Sequence, residues 1–260
     1  MSSVPQLFFT KGKCVACGQC AVVCPQGVHR LPDGDHSVEF AKCVHCGACV
    51  DACDHEGLRI VGKEMCADDV MKEVLADVDF YRHSGGGMTL GGGEPLFQPK
   101  FARELLARSR ESGIHTCFET SGFVAQPILR EILPLIDIVL FDYKVTDDQL
   151  HRELTGGSNE RVLYNLDLAY RMKAQIILRC PLIPGVNDAD GHLRGIAALS
   201  AKYPELLGVE VIPYHGMGLD KARSVGMVQL PPSSKTVDQC RREKLIVRLG
   251  ELGCVRAVLG

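Results

Sequence analysis

The chain has 260 residues, 46% of them hydrophobic, and this composition excludes a fully disordered protein. A formal net charge of -3 without any basic run argues against nucleic acid as a partner. The most apolar stretch, "ILPLIDIVLF", is too short and too interrupted to cross a bilayer, and no secretion signal is visible, so we expect no membrane partner and a cytoplasmic location.

Cysteines are concentrated near the N-terminus, where eight of the thirteen lie between Cys14 and Cys53. An odd cysteine count without an export signal fits disulfides poorly and favours a metal or cluster site. The eight form two runs, "CVACGQCAVVCP" and "CVHCGACVDAC", which share the spacing C-x2-C-x2-C-x3-C. In bacterial ferredoxins with this spacing, the fourth cysteine of each run ligates the cluster of the other run.

This crossed pattern predicts two [4Fe-4S] clusters and hence transfer of single electrons. The predicted ligands of the first cluster are Cys14, Cys17, Cys20 and Cys53. Those of the second are Cys43, Cys46, Cys49 and Cys24. A zinc ribbon is the alternative, but it leaves half of these cysteines at an unexplained regular spacing. His45 and His55 lie beside the ligands and are interpreted as surface residues, because four thiolates per cluster are already available.

From about Met65 onward, strand and helix patterns alternate along the chain. The predicted strands are "MTL", "HTCFE", "IDIVLFDY", "AQIILRC" and "VEVIPY". The predicted helices cover about 67–83, 100–112, 128–133, 159–172, 193–202 and 234–252. Apolar strands between amphipathic helices predict a parallel sheet covered by helices, as a barrel or a doubly wound sheet. Functional residues are then expected on the loops after the strands.

The ends of these strands carry acids, bases and bare glycine backbone. They would meet at one sheet edge, which collects Glu94, Glu119, Asp142, Lys144, Arg179 and His215. This mixture suits a zwitterionic ligand better than a phosphate. The stretch "GGGMTLGGGEPL" matches neither the dinucleotide fingerprint nor the P-loop, and an ordinary strand-to-helix turn is the alternative interpretation. Any one of the charged residues could be a plain ion pair, but their co-location weakens that interpretation.

Five motifs together resemble a known family: "SGGGMTLGGGEP", "TCFETSGF", "FDYK", "LRCPLIPGVND" and "VIPYH". They resemble the glycyl radical enzyme activating enzymes, a branch of the radical SAM superfamily, and the eight-cysteine segment is similar to the ferredoxin insert of one subgroup. The resemblance covers nearly the whole chain. It implies a linker over 1–9, a bacterial-type ferredoxin domain with two [4Fe-4S] clusters over 10–63, and a partial (β/α)6 TIM-like barrel without its first strand over 64–260.

The same resemblance implies S-adenosylmethionine as the cofactor. Its implied binding residues are Gly92, Gly93, Glu94, Asp142, Tyr143, Lys144 and His215. In the family, the "GGE" segment accepts hydrogen bonds from the methionine amino group, the "D-x-K" strand lies near the ribose and methionine, and the histidine lies beside the ribose or adenine. Glu119 and Ser121 stand where the family often has Asp and Asn, next to Thr120. Arg179 would face the bound glycine loop of the partner enzyme.

The remaining cysteines receive structural interpretations. Cys117 and Cys180 lie within apolar strands and are expected as core thiols. Cys66, Cys240 and Cys254 have no partner at cluster spacing.

One family feature is missing from the sequence. The resemblance calls for a C-x3-C-x2-C loop whose cluster binds S-adenosylmethionine, and no such spacing occurs in the 260 residues. Thirteen residues precede Cys14, and "PQLFF" resembles the linker that follows the loop, so we expect an N-terminally shortened chain. It would carry no catalytic cluster ligands of its own, and a third [4Fe-4S] cluster would form only with the upstream segment restored.

The resemblance implies an activating enzyme that abstracts a Cα hydrogen from a glycine of a glycyl radical enzyme, through a 5'-deoxyadenosyl radical. A flavodoxin or ferredoxin-type protein would donate the electron. One alternative is an electron-transfer or docking protein with a non-catalytic barrel. Another is a radical SAM enzyme that acts on a small molecule.

Overall fold

The computed structural model describes residues 5–214, 217–227 and 239–260. The chain divides into two compact units. The first comprises Met1–Met65 with His215–Ser234, and the second comprises Cys66–Tyr214 with Lys235–Gly260. The sequence predicted a barrel over all of 64–260, whereas the segment His215–Ser234 groups with the first unit.

The first unit contains two short antiparallel pairs of strands. Strand β1 (Gln6–Phe9) pairs with β4 (Leu58–Val61), and β2 (His29–Arg30) pairs with β3 (Ser37–Val38). The described part of this unit has three α-helices, namely α1 (Gln19–Val23), α2 (Ala48–Asp51) and α10 (Met217–Ser224). The helices α1 and α2 each contain the third cysteine of a run, Cys20 and Cys49, and both cysteines are buried.

The N-terminal residues correct one expectation. Residues 1–9 were predicted as a linker, yet residues 6–9 form β1 and pair along their whole length with β4. The physical reason is burial, because Leu7 and Phe9 belong to the core of this unit together with Leu58 and the two buried cluster cysteines. Burial of these apolar side chains stabilises residues 6–9 as a paired strand rather than as an exposed linker.

The second unit is built on a six-stranded sheet in which all neighbouring strands are parallel. Its strands in chain order are β5 (Gly87–Leu90), β6 (His115–Thr120), β7 (Ile138–Asp142), β8 (Ile176–Leu182), β9 (Gly208–Pro213) and β10 (Ala257–Leu259). Their order in the sheet follows the chain without reversal. This topology confirms the predicted partial (β/α) barrel. Strand β10 was not predicted; it is three residues long and forms beside β9.

Helices connect these strands. They are α3 (Ala67–Ala76), α4 (Val78–Ser84), α5 (Pro99–Glu111), α6 (Gln126–Ile132), α7 (Asp148–Thr155), α8 (Glu160–Arg171), α9 (Asp190–Lys202) and α11 (Gln239–Glu251). The single helix predicted over 67–83 is divided at Asp77, whose φ of -101° and ψ of 10° leave the helical region. Helix α7 was not predicted, although Asp147 caps it by accepting a hydrogen bond from the N–H of Leu150 at 2.7 Å.

The two faces of the sheet differ in chemistry because side chains alternate along each strand. One face is fully buried and apolar, with Phe118, Phe141 and Leu178 at 0% exposure. The opposite face carries charged, partly buried side chains that include those of Glu119 and Asp142. The register of the strands therefore decides which polar groups meet.

The cysteines of the second unit follow this division. Cys180 and Cys254 are buried in the apolar core, as the sequence predicts for Cys180. Cys117 corrects the prediction of a core thiol, because it is only half-buried and lies two residues before Glu119, on the polar face of β6.

Candidate functional site: two cysteine cavities and a polar sheet edge

The first unit contains a cavity that is lined by cysteines from both runs. Cys14, Cys17 and Cys20 line it together with Cys53, the last cysteine of the second run. These four residues are the ones that the spacing assigns to the first cluster.

A second cavity has the reciprocal composition. Cys43, Cys46 and Cys49 line it with Cys24, the last cysteine of the first run. Four thiols around each of the two cavities fit a cubane cluster, whose iron atoms take cysteine thiolates as ligands. The crossed grouping is a tertiary feature, because each fourth cysteine is remote in sequence from its three companions.

Backbone geometry at the two cavities is nearly equivalent. Ala16 and His45 both have positive φ, of 56° and 55°. Their N–H groups donate to the sulfurs of Cys14 and Cys43, each at 3.4 Å. Gly18 and Gly47 precede α1 and α2 with φ of 81° and 84°, a region that glycine adopts at no steric cost. The chain thus folds around each cavity with donors aimed at the cysteine sulfurs.

Burial affects the thiols at the centres of the runs. It raises the pKa of Cys49 to about 11, with a smaller contribution from the neighbouring cysteines. It raises the pKa of Cys20 for the same reason. Binding to iron would reverse this effect on the pKa of the thiols, since metal-bound thiols are deprotonated. These buried thiols are therefore suited to a metal and costly to ionise without one.

In the second unit, the loop after β5 is tied to the loop after β6 by one carboxylate. The Glu94 oxygens accept hydrogen bonds from the Thr120 hydroxyl at 2.9 Å and from the Ser121 N–H and hydroxyl at 2.9 and 2.7 Å. A longer bond of 3.4 Å comes from the N–H of Leu96. The Glu94 side chain therefore ties the two loops together.

Glycine is favoured in this loop by conformation. A Cβ on Gly91 would lie 2.9 Å from a carboxylate oxygen of Glu119, the end of a side chain that would have to shift. Gly92 has φ of 114°, which L side chains rarely adopt. The exposed backbone of Gly91–Gly93 can therefore approach a ligand closely.

Charged side chains meet on the polar face next to this loop. Arg179 donates to Glu119 at 2.5 Å, and its Nε lies 3.7 Å from Glu210. Asp142 lies opposite Arg179 in the register of β7 and β8, and its carboxylate is 3.6 Å from the Lys144 ammonium. Burial raises the pKa of Asp142, while Lys144 opposes that shift. The structure thus places together Glu119, Asp142, Lys144 and Arg179, as the sequence predicts.

Tyr143 faces away from this group. It is buried on the opposite side of the strand, and its hydroxyl donates to Thr146 at 3.0 Å. A contribution of Tyr143 to a ligand at this edge would therefore come from its backbone. The predicted binding residue His215 lies outside the described residues.

The polar face also holds a buried polar group without a hydrogen-bond partner within the described ranges, the hydroxyl of Tyr214. Arg179 Nε makes no hydrogen bond to the described residues either, but it faces the Glu210 carboxylate at 3.7 Å. Buried polar groups normally have a partner, so the Tyr214 hydroxyl points to a ligand. Sequence reasoning did not assign Tyr214 and Glu210 to the site. The available signal was their place in the predicted strand "VEVIPY", where Tyr214 is the last residue and Glu210 the second. In the described part of the chain, no helix has the length and apolar content to cross a bilayer.

Comparison with known proteins agrees with both units. The family described as the Radical SAM superfamily matches residues 41–194, and the family described as a 4Fe-4S dicluster domain matches residues 13–58. The crystal structure of a domain of pyruvate-formate lyase-activating enzyme from Bacteroides vulgatus superposes with a TM-score of 0.56 at 26% identity, covering 67% of this chain and 99% of that one.

Curated relatives give the branch of the superfamily. The choline trimethylamine-lyase activating enzyme of Oleidesulfovibrio alaskensis is 37% identical over 227 residues, which are 85% of this chain and 73% of the relative. The benzylsuccinate synthase activating enzyme of Thauera aromatica is 32% identical over 248 residues, covering 93% and 75%. The chain belongs to the glycyl radical enzyme activating enzymes of the radical SAM superfamily.

Proposed function

We propose that the second unit binds S-adenosylmethionine at the carboxyl edge of its sheet. The observation that carries this proposal is the convergence of a glycine loop, paired charges and the unpartnered buried hydroxyl of Tyr214 on one face. The methionine end of the cofactor is a zwitterion, and it needs acceptors for its amino group and donors for its carboxylate. The backbone at Gly92 and Gly93 supplies the acceptors.

The charged residues have separate tasks in this proposal. Asp142 and Lys144 present one negative and one positive group next to each other, which matches the ribose hydroxyls and the methionine end of the cofactor. Glu94 fixes the glycine loop through Ser121. His215 completes the predicted binding set. Bound cofactor supplies the group that removes a Cα hydrogen from a glycine of the partner enzyme.

Arg179 has a positioning task as well as a predicted contact with the glycine loop of the partner. Its guanidinium is held by Glu119 and lies beside Glu210, so it is fixed on the polar face before any partner arrives. A fixed guanidinium retains donors for the carbonyls of an entering loop.

We propose two [4Fe-4S] clusters in the first unit, with the crossed ligands that line the two cavities. They would pass electrons from a flavodoxin or ferredoxin-type donor in the cytoplasm. All eight thiols are used in this assignment, so neither cluster has a position for S-adenosylmethionine. Reductive cleavage then requires a third cluster, held by a C-x3-C-x2-C segment that the 260 residues do not contain.

The test separates binding from cleavage. The anaerobically reconstituted chain is titrated with S-adenosylmethionine by calorimetry, and then incubated with cofactor and dithionite while 5'-deoxyadenosine is measured by chromatography. We expect binding without cleavage. Joining a family C-x3-C-x2-C segment to the N-terminus should add about four irons and start cleavage.

Two outcomes contradict the proposal. If neither form binds S-adenosylmethionine, the sheet edge is not its site. If the 260-residue chain cleaves it, one of the two clusters gives up a cysteine ligand, and the assignment of eight thiols to two closed clusters is wrong. Addition of a candidate glycyl radical enzyme then tests glycyl radical formation by electron paramagnetic resonance.

A further inference from the structure

Two buried histidines, His29 and His36, lie against the first cysteine cavity. Nδ1 of His36 is 3.1 Å from the sulfur of Cys14, and Nε2 of the same ring is 3.7 Å from the sulfur of Cys20. Nδ1 of His29 lies 2.9 Å from that Nε2. Phe9 packs on the His36 ring with a centroid separation of 4.5 Å, which holds its orientation.

The direction of these hydrogen bonds follows from the donors available. A cysteine that ligates a cluster is a thiolate and can only accept. The contact of Nδ1 with Cys14, at 3.1 Å, is shorter than that of Nε2 with Cys20, at 3.7 Å, so we place the proton of the neutral His36 ring on Nδ1. Nε2 is then an acceptor, and the N–H of His29 satisfies it. His29 thereby selects the tautomer of His36 that donates to the sulfur.

The second cavity lacks this arrangement. Its histidine, His45, uses Nδ1 to accept the N–H of Leu7 at 3.2 Å. Across the described ranges, ring nitrogens of histidine reach cysteine sulfurs at the first cavity alone. The backbone donors at the two cavities are equivalent, so the His36 ring is an added donor on one side.

We propose that His36 is a positioning residue that makes the two clusters unequal in reduction potential. A hydrogen bond to a ligand sulfur favours the reduced cluster, which carries one more negative charge, and so raises its potential. The first cluster is therefore the more easily reduced of the two, and the electron passing through the unit rests there. The inference depends on the proposed ligand assignment of the first cluster.

The experiment measures both midpoint potentials by electron paramagnetic resonance during a redox titration of the full reconstituted chain at one fixed pH. His36→Leu removes the donor. His36→Asn keeps an N–H near the position of Nδ1. His55→Leu is the matched control, because His55 lines the same cavity but is exposed.

In His36→Leu we expect the midpoint potential of one cluster to fall by about 59 mV, which is a tenfold change in the reduction equilibrium for one electron. The midpoint potential of the other cluster should not change. His36→Asn recovers most of the loss, and His55→Leu shifts neither couple. Unchanged potentials in His36→Leu overturn the proposal, and so does loss of the cluster in both His36 variants, since that outcome makes the ring structural. A wild-type chain that holds fewer than two clusters instead refutes the ligand assignment, whatever the His36 variants do.

Discussion

Glu94 and Ser121 are 27 residues apart, yet the Glu94 carboxylate accepts both the N–H and the hydroxyl of Ser121, at 2.9 and 2.7 Å. This contact joins the loops that follow two neighbouring parallel strands. The acidic residue of the "GGE" segment is thus bonded within the protein, while the glycines before it are exposed.

Replacing Glu94 by Gln tests this role. The amide cannot accept at both positions, so the loop loses hydrogen bonds to a charged group, each contributing roughly 1.5–3 kcal/mol. We expect affinity for S-adenosylmethionine to fall about tenfold, which corresponds to about 1.4 kcal/mol, with little change in iron content. Calorimetric titration measures the affinity. Glu111→Gln, on the exposed end of α5, is the control, and an unchanged affinity in Glu94→Gln would show that the loop does not need the contact.

The crossed ligation predicts which cysteine variants resemble one another. Wild-type chain should hold about eight irons, and Cys53→Ser should lose one cluster of about four. The spectrum that remains should match that of Cys17→Ser and differ from that of Cys46→Ser, because Cys53 lines the first cavity. Iron analysis and electron paramagnetic resonance give both readouts.

Cys66→Ser is the control for this series, since Cys66 is exposed and a serine keeps the cap of α3. A Cys53 variant that resembles Cys46→Ser would mean that each run ligates its own cluster. Zinc at about one ion per chain would favour the zinc ribbon.

Asp142 is predicted to lower stability while it serves binding. Burial raises its pKa in the folded protein, so the ionised form at neutral pH costs folding free energy, and that cost disappears as the pH falls below the unfolded value. Asp142→Asn should therefore raise the urea midpoint at pH 7.5 and weaken S-adenosylmethionine binding in the same preparation. Circular dichroism follows the unfolding. A lower midpoint in the variant would mean that the pairing with Lys144 outweighs the burial.

His192 should make stability pH-dependent between about 4 and 6.5. Burial lowers the pKa of His192 to about 4, and its Nδ1 accepts the N–H of Thr146 at 3.1 Å. The unfolded chain binds more protons in this window, so stability rises with pH and falls by roughly 2 kcal/mol from neutral pH to pH 5.

The variant His192→Asn keeps an acceptor near Nδ1 and removes the titrating ring. Its urea midpoint should change less between pH 7.5 and pH 5 than that of the wild type, even if it is lower at both. His115→Asn, at an exposed site, controls for the loss of one histidine. Equal pH dependence in His192→Asn and wild type would assign the effect to other groups.

The local pattern of the sequence determined much of this protein. Cysteine spacing predicted which four cysteines line each of the two cavities, because short gaps hold three thiols near one point. Apolar periodicity gave five of the six parallel strands, and the ends of those strands gave Glu119, Asp142, Lys144 and Arg179. Those residues come together because parallel strands place all their carboxyl ends at one edge.

The tertiary structure alone decided which side chains contact one another. Arg179 reaches Glu119 from 60 residues away, and His36 meets Cys14 across 22 residues with no spacing rule to announce it. Strand β1 forms because its apolar side chains find a core, and Tyr143 turns away from Asp142 because successive residues of a strand face opposite sides. Periodicity encodes what a segment prefers, whereas hydrogen-bond partners depend on which segments packing brings together.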